Sequence, residues 1–179
     1  MSEKKIYNTI QRVIFPTVAE IDKSSLFVRW PDGGATASAD MFGINLSKGT
    51  VLDLSTFFNS FSHKKWLDLT GLQNLSVRFE GTGKFLIKIL CYTETAAASN
   101  ILEKELILSG EESILELPNL DGINGNIIAL NIQSLQEDSH IKCLEWVTLE
   151  VPKRAVKLAA VITTFKRELA AQRAIDKFK

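Results

Sequence analysis

The chain has little of the residue types on which metal sites, disulfide frameworks and most catalytic centres depend: 2 cysteines, 2 histidines and 4 prolines in 179 residues. Cys91 and Cys143 fall in separate strand-like runs with no metal-ligand spacing around them, so free thiols are expected rather than a disulfide or a zinc site. His63 lies beside Ser62 and His140 follows Asp138-Ser139, but there is no G-x-S-x-G elbow, and neighbours in sequence do not make a triad. Hydrolysis is therefore not expected. The acidic pairs Glu111-Glu112 and Glu137-Asp138 sit at turn signals without the spacing of a calcium loop, and read as solvated carboxylates. Excess charge is missing too: Lys and Arg number 21 and Asp and Glu 21, which excludes the clustered basic surface on which nucleic-acid binding rests. No apolar run approaches the roughly 20 residues of a membrane span. The start, Met1-Ser2-Glu3-Lys4-Lys5-Ile6, is charged and leads into no apolar core, so no signal peptide is expected and the location reads as cytoplasmic. Internal repeats and low-complexity tracts are absent as well.

What is present is an ordinary globular composition, 45% hydrophobic and 23% charged, in a chain long enough to bury a core without disulfides. Residues 1–24 read as a short helix or irregular lead-in that ends at Pro16. Short strand patterns follow: Ser25–Trp30, closed by the turn Pro31-Asp32-Gly33-Gly34, then Ala35–Met41, Gly43–Leu46, Leu75–Glu80, Lys84–Thr93, Leu102–Leu108, Ser113–Leu117, Asn126–Leu135 and Ile141–Val151. Gly81-Thr82-Gly83, Ser109-Gly110 and Asp121–Gly125 mark turns between them. Leu75, Val77 and Phe79 alternate with Ser76, Arg78 and Glu80, the pattern of a half-buried antiparallel strand. Phe85, Ile87, Ile89 and Cys91 alternate with Leu86, Lys88, Leu90 and Tyr92, which predicts a central strand covered on both faces. Near-regular strand spacing with almost no helical periodicity predicts a mainly β fold, an antiparallel, jelly-roll-like β-sandwich over residues 25–151. Phe79, Phe85, Ile87, Ile89, Leu130 and Ile132 are its expected core.

Past the linker signal Val151-Pro152-Lys153-Arg154 the texture changes. An apolar, β-branched run through Val161-Ile162-Thr163-Thr164-Phe165 meets a polar corner, Lys166-Arg167-Glu168, and then an amphipathic segment with Ala171, Ala174, Ile175 and Phe178 at i, i+3, i+4 and i+7. This is a strand feeding a helix, half of a βαβ unit without its neighbours. The layout is thus a sandwich domain, 1–152, and an incomplete α/β unit, 153–179. In open α/β sheets ligands sit beyond the carboxyl ends of strands, where the next helix offers free N–H groups to anions. Thr163 and Thr164 suit a base or ribose and Arg167 suits a diphosphate or a stacked base; an ordinary βα corner is the alternative.

The segment Val161–Arg167 resembles the first strand and nucleotide corner of family-2, GT-A-type glycosyltransferases. Further stretches match in order the polymerising galactofuranosyltransferases, which carry a β-sandwich before the GT-A domain: Gln11-Arg12-Val13-Ile14-Phe15-Pro16; Leu26-Phe27-Val28-Arg29; Thr56-Phe57-Phe58-Asn59-Ser60-Phe61 followed by Trp66; Gly81-Thr82-Gly83; and Trp146 before Val151-Pro152. The resemblance covers nearly the whole chain. It implies the N-terminal accessory domain, glycan-binding or scaffolding, of a longer nucleotide-sugar-dependent glycosyltransferase of bacterial cell-surface polysaccharide synthesis. It assigns Thr163, Thr164, Phe165 and Arg167 to the nucleotide sugar. The UDP-sugar donor, a divalent Mg or Mn ion and the catalytic base are expected only in the full enzyme, because that family's acidic metal motif lies downstream of Lys179. These residues alone are expected to hold no catalytic centre, no metal and no cofactor. The implied partners are a glycan or lipid-linked glycan acceptor and further copies of the chain, with the full enzyme peripheral to the inner face of the membrane.

Carbohydrate modules of this architecture stack flat aromatic rings against sugar rings. Trp30, Trp66, Tyr92, Phe57 and Phe58 qualify by type, and most are expected in the core, where large rings contribute most burial. Trp66, between Lys64-Lys65 and Leu67-Asp68, has the most polar surroundings and is the leading candidate for a partly exposed, sugar-facing ring. A stand-alone carbohydrate-binding or protein-interaction module is the alternative to the glycosyltransferase domain.

Overall fold

The computed structural model describes residues 5–17, 24–30, 34–93, 97–118, 120 and 127–151. The proposed strand and helix of residues 153–179 lie outside them.

Nine strands and one α-helix occur among the described residues: β1 (Asn8–Arg12), β2 (Ala35–Ala37), β3 (Ile44–Leu46), β4 (Val51–Asp53), α1 (His63–Thr70), β5 (Ser76–Tyr92), β6 (Ser99–Ser109), β7 (Ser113–Glu116), β8 (Ile127–Ser134) and β9 (Ser139–Thr148). Every pairing is antiparallel. The fold is mainly β, a curled antiparallel sheet of the jelly-roll-like kind that the alternation predicted.

Its spine is β5, 17 residues long. The sequence splits this span at Gly81-Thr82-Gly83 into two strands, but the chain runs through the glycines without turning back. They mark a bend rather than a turn, because here β5 passes so close to β9 that a side chain has no room. A Cβ on Gly81 would meet the His140 carbonyl oxygen at 2.1 Å, and one on Gly83 would meet the Ser139 hydroxyl at 2.7 Å. One edge of β5 pairs with β7 before the bend and β6 after it; the other edge pairs with β9 before and β8 after. The flanking ribbons bend at the same level, through Gly110 (φ 95°) on one side and Asp138 (φ 52°) on the other. The sheet curls along that line. One half holds β7, the start of β5, β9, β1, β3 and β2; the other holds β6, the end of β5, β8 and β4.

The core lies inside the curl. Phe79, Phe85, Ile87, Ile89, Leu130 and Ile132, all expected there, are at most 1% exposed, joined by Phe15, Phe61 and Trp146. Each such side chain contributes about 1.5–3 kcal/mol through burial. The second face of β5 differs from the expectation: Leu86, Lys88, Leu90 and Tyr92 are half-buried, so the strand is central in its sheet but covered on one face only. Cys91 and Cys143 are free thiols, and burial raises the pKa of both.

Three local expectations are corrected. Residues 8–12 form a strand, not a helix or irregular lead-in. β1 pairs along the edge of β9, and the carboxylate of Glu145, 2% exposed, fastens it. Thr9 Oγ1 donates to Glu145 at 3.1 Å and Arg12 Nε at 2.7 Å, while Arg78 Nε on β5 donates at 2.9 Å from the other side. Burial alone would raise the Glu145 pKa, but the hydrogen bonds from Arg78 and Thr9 and the charges of Arg78 and Arg12 outweigh it and hold the group below the usual carboxylate value. Ser25–Trp30 is not a strand: a 3-10 turn, Ser24–Leu26, overlaps its start, and it makes one isolated bridge, Arg29 to Asp53. Arg29 exchanges two backbone hydrogen bonds with Asp53 of β4, and side chains hold the Phe27 carbonyl, as described below. Helix α1 was not anticipated, since eight residues leave little room for periodicity. It ends on Gly71 at φ 73°, whose N–H donates to the Leu67 carbonyl.

Candidate functional site

The loop after β4 places buried and exposed groups side by side. Asn59 is fully buried and its amide joins two distant segments. Its Oδ1 accepts from the Ile14 N–H at 2.9 Å, and its Nδ2 donates to the Ile14 carbonyl at 2.8 Å and the Phe27 carbonyl at 2.6 Å. The Thr56 hydroxyl also donates to the Phe27 carbonyl, so that carbonyl is satisfied without a strand partner. The Asn59 carbonyl accepts from the Trp146 indole N–H at 3.2 Å. Phe61 lies between Trp146 and Trp66, with ring centroids 5.5 Å and 6.0 Å away. A satisfied buried network of this kind specifies one geometry.

The two residues between Thr56 and Asn59 point the other way. Phe57 is 79% exposed and Phe58 47%. Phe58 stacks on Phe27 at 4.4 Å and 16°, and Phe57 meets Phe58 edge-on at 5.0 Å and 87°. The backbone beneath is held from three sides: Gln11 Nε2 donates to the carbonyls of Phe58 and Ser60, the Phe58 N–H donates to the Leu26 carbonyl, and the Ser60 hydroxyl donates to the Thr56 carbonyl. The result is a rigid aromatic ledge, extended by the half-exposed Leu26, open to solvent on the free face of Phe57. Phe57 and Phe58 qualified by residue type but were expected, with most such rings, in the core. The signal that distinguishes them is the tight spacing: Thr56 and Asn59 both turn inward to cap backbone, and the two positions between them are left outside.

Trp66 on α1 is half-buried, with its ring stacked at 14° on Phe61. Trp30 packs against the core as well. Tyr92 lies on the half-exposed face of β5, opposite Ile127. Thr163, Thr164, Phe165 and Arg167 lie outside the described residues.

The histidines do not meet. His63 is buried at the start of α1, whereas His140 Nδ1 on β9 lies 2.9 Å from Asn45 Oδ1. The Ser139 hydroxyl is engaged in the bend, 2.8 Å from Ser134 Oγ and donating to the Gln136 carbonyl. Beside it lies a polar cleft of about 210 Å³, lined by Gly34, Thr36, Asn45, Ser47, Asp138 and Ser139 and lacking an aromatic wall. Among the described residues no three His, Cys, Asp or Glu side chains are grouped to hold a metal ion, and no helix is long and apolar enough to cross a membrane.

No protein-family model matches the chain, and no curated protein sequence matches it. Among solved structures, it is similar to a family two carbohydrate esterase from Cellvibrio japonicus, with 11% identity and a TM-score of 0.39 over 84% of this chain and 36% of that one. A second similar structure is the CBM22-1–GH10 portion of the Clostridium thermocellum xylanase 10B complexed with xylohexaose, with 16% identity and a TM-score of 0.31 over 82% of this chain and 28% of that one. The chain thus spans about a third of either protein. Identities and scores this low assign neither an activity nor a ligand to it.

Proposed function

We propose that this β-sandwich is a carbohydrate-binding module whose ligand stacks on the Phe57–Phe58 ledge. The observation that carries the reading is the pairing of exposed rings with a rigid base. Phe57, 79% exposed, forgoes the burial that its type supplies elsewhere while Phe58 anchors it to Phe27, and an exposed apolar patch on a fixed support marks a binding surface. The C–H face of a sugar ring meets such a surface without the desolvation that a charged ligand would require. Titration of the full chain with neutral galactan, arabinan, glucan and xylan oligosaccharides, followed by NMR shifts of the Phe57–Ser60 amides, tests it. Binding of at least one series at millimolar concentration or tighter is expected; no response to any of them sinks the reading.

The glycosyltransferase context is a finer proposal: the module serves as the N-terminal accessory domain of a longer, galactofuranosyltransferase-like enzyme, with a glycan acceptor as its ligand. One spatial observation favours it. Four of the matched stretches, far apart in sequence, meet at one place: Ile14, Phe27, Thr56, Asn59, Phe61, Trp66 and Trp146 all belong to the network around Asn59. The resemblance therefore rests on residues that fix the fold. In the longer enzyme, Arg167→Ala is expected to weaken donor binding by about 1.5–3 kcal/mol, the range for a hydrogen bond to a charged group. An unchanged donor affinity would leave the corner a plain βα turn.

A further inference from the structure

The outward face of the β4–β8–β5–β6 half carries a row of polar side chains that the core does not need. Phe85, Ile87, Ile89 and Cys91 turn inward, so the alternate residues of β5 and their partners form the opposite face. Cross-strand register places Arg29 opposite Asp53, Asp53 opposite Asn131, Asn131 opposite Lys88, and Lys88 opposite Glu103. Five side chains thus lie in line across five chain segments, about 19 Å at roughly 4.8 Å per step. The ends are ion pairs, Arg29–Asp53 at 2.7 Å and Lys88–Glu103 at 3.3 Å. The centre is not paired: the amides of Asn131 and, in the next row, Gln133 make no hydrogen bond among the described residues. Asn is depleted from strands, and β8 is paired on both edges, so an unpartnered Asn in its middle is a poor choice for stability alone.

The row also begins at the ledge. Arg29 follows Phe27 by two residues, and its Nη2 donates to the Ser55 carbonyl at 2.9 Å, just before Thr56 and Phe57. Resting on the carbohydrate reading above, we propose that the ligand is a neutral oligosaccharide chain rather than a single terminal sugar. One unit stacks on Phe57, and the following units cross the sheet over Arg29, Asp53, Asn131 and Lys88. Two cations and two anions cancel along the row, which disfavours a charged polymer. With the Asn131 amide between them, and Gln133 in the next row, they supply the mixed donors and acceptors that hydroxyl groups require.

The test uses the full chain and the same four neutral series from disaccharide to hexasaccharide, with oligogalacturonate as the anionic comparison. Affinity is expected to rise at least about tenfold with length for the bound series, with little dependence on salt because the row has no net charge. Asn131→Ala with Gln133→Ala is expected to abolish that gain while leaving disaccharide affinity and melting temperature unchanged, and shift changes should extend onto β4, β5 and β8 only for the longer ligands. Affinity independent of length, a gain that survives the double substitution, or preference for oligogalacturonate would each overturn the inference while a bound disaccharide keeps the carbohydrate reading. If no neutral oligosaccharide binds at any length, both fall.

Discussion

Phe57-Phe58 and Asn59-Ser60-Phe61 are consecutive, yet the first pair faces water and the last three hold the molecule together. Asn59 and Phe61 are fully buried, and their amide and ring join the N-terminal segment, the 24–30 segment, α1 and β9. Phe58 ties to that assembly through Phe27 and Leu26, and Phe57 rests on Phe58 with its free face to solvent. One loop thus separates stability from recognition by residue position, and a substitution reports which of the two it has touched.

The separation can be broken first from the buried side. Asn59→Ala leaves the Ile14 N–H and carbonyl without partners, while the Phe27 carbonyl keeps the Thr56 hydroxyl, and is expected to cost about 2 kcal/mol or more, at about 1–3 kcal/mol per buried group left unsatisfied. Trp146→Ala belongs in the same class, at about 3–5 kcal/mol for a buried aromatic. Urea unfolding measures both; a loss below about 1 kcal/mol in Asn59→Ala would show that the network is incidental.

A smaller effect is expected at Glu145, which holds β1 to β9 without touching the ledge. Its pKa in the fold is lowered, so its contribution is present above the unfolded-chain value, about 4.3, and is lost as pH falls through the folded value. Stability should decline as pH falls below about 4.3, and Glu145→Gln should flatten that decline. At pH 7 the substitution is expected to cost about 1–3 kcal/mol, less than a sealed pair because the Arg12 side chain is 60% exposed. An unaltered pH profile would assign acid sensitivity to other carboxylates. Smallest of all, Phe57→Ala is expected to change stability by no more than about 0.5 kcal/mol, as for a surface residue.

The legible part of this fold was its alternation. Phe79, Phe85, Ile87 and Ile89 announce a buried face by period two, and that pattern survives whichever strands pair with it. Features set by tertiary contact were not legible. Asn8–Arg12 lacks strand alternation and becomes one because β9 offers an open edge and Glu145 two hydrogen bonds. Gly81-Thr82-Gly83 has turn composition, yet spares backbone a clash with His140 and Ser139 inside one long strand. The ledge was half legible: Phe57 and Phe58 were named by type, but only the inward capping by Thr56 and Asn59 shows that they lie outside. Trp66, expected to be partly exposed from its polar neighbours, is half-buried, with one face of its ring stacked on Phe61.

The most direct measurement compares glycan affinity and melting temperature in the unmodified chain and in Phe57→Ala, using whichever neutral oligosaccharide the unmodified chain binds best. A ledge dedicated to recognition predicts an affinity loss of about tenfold, or about 1.4 kcal/mol, with the melting temperature unchanged. Unchanged affinity, or a loss that appears only alongside a lowered melting temperature, would contradict the account and return Phe57 to the fold.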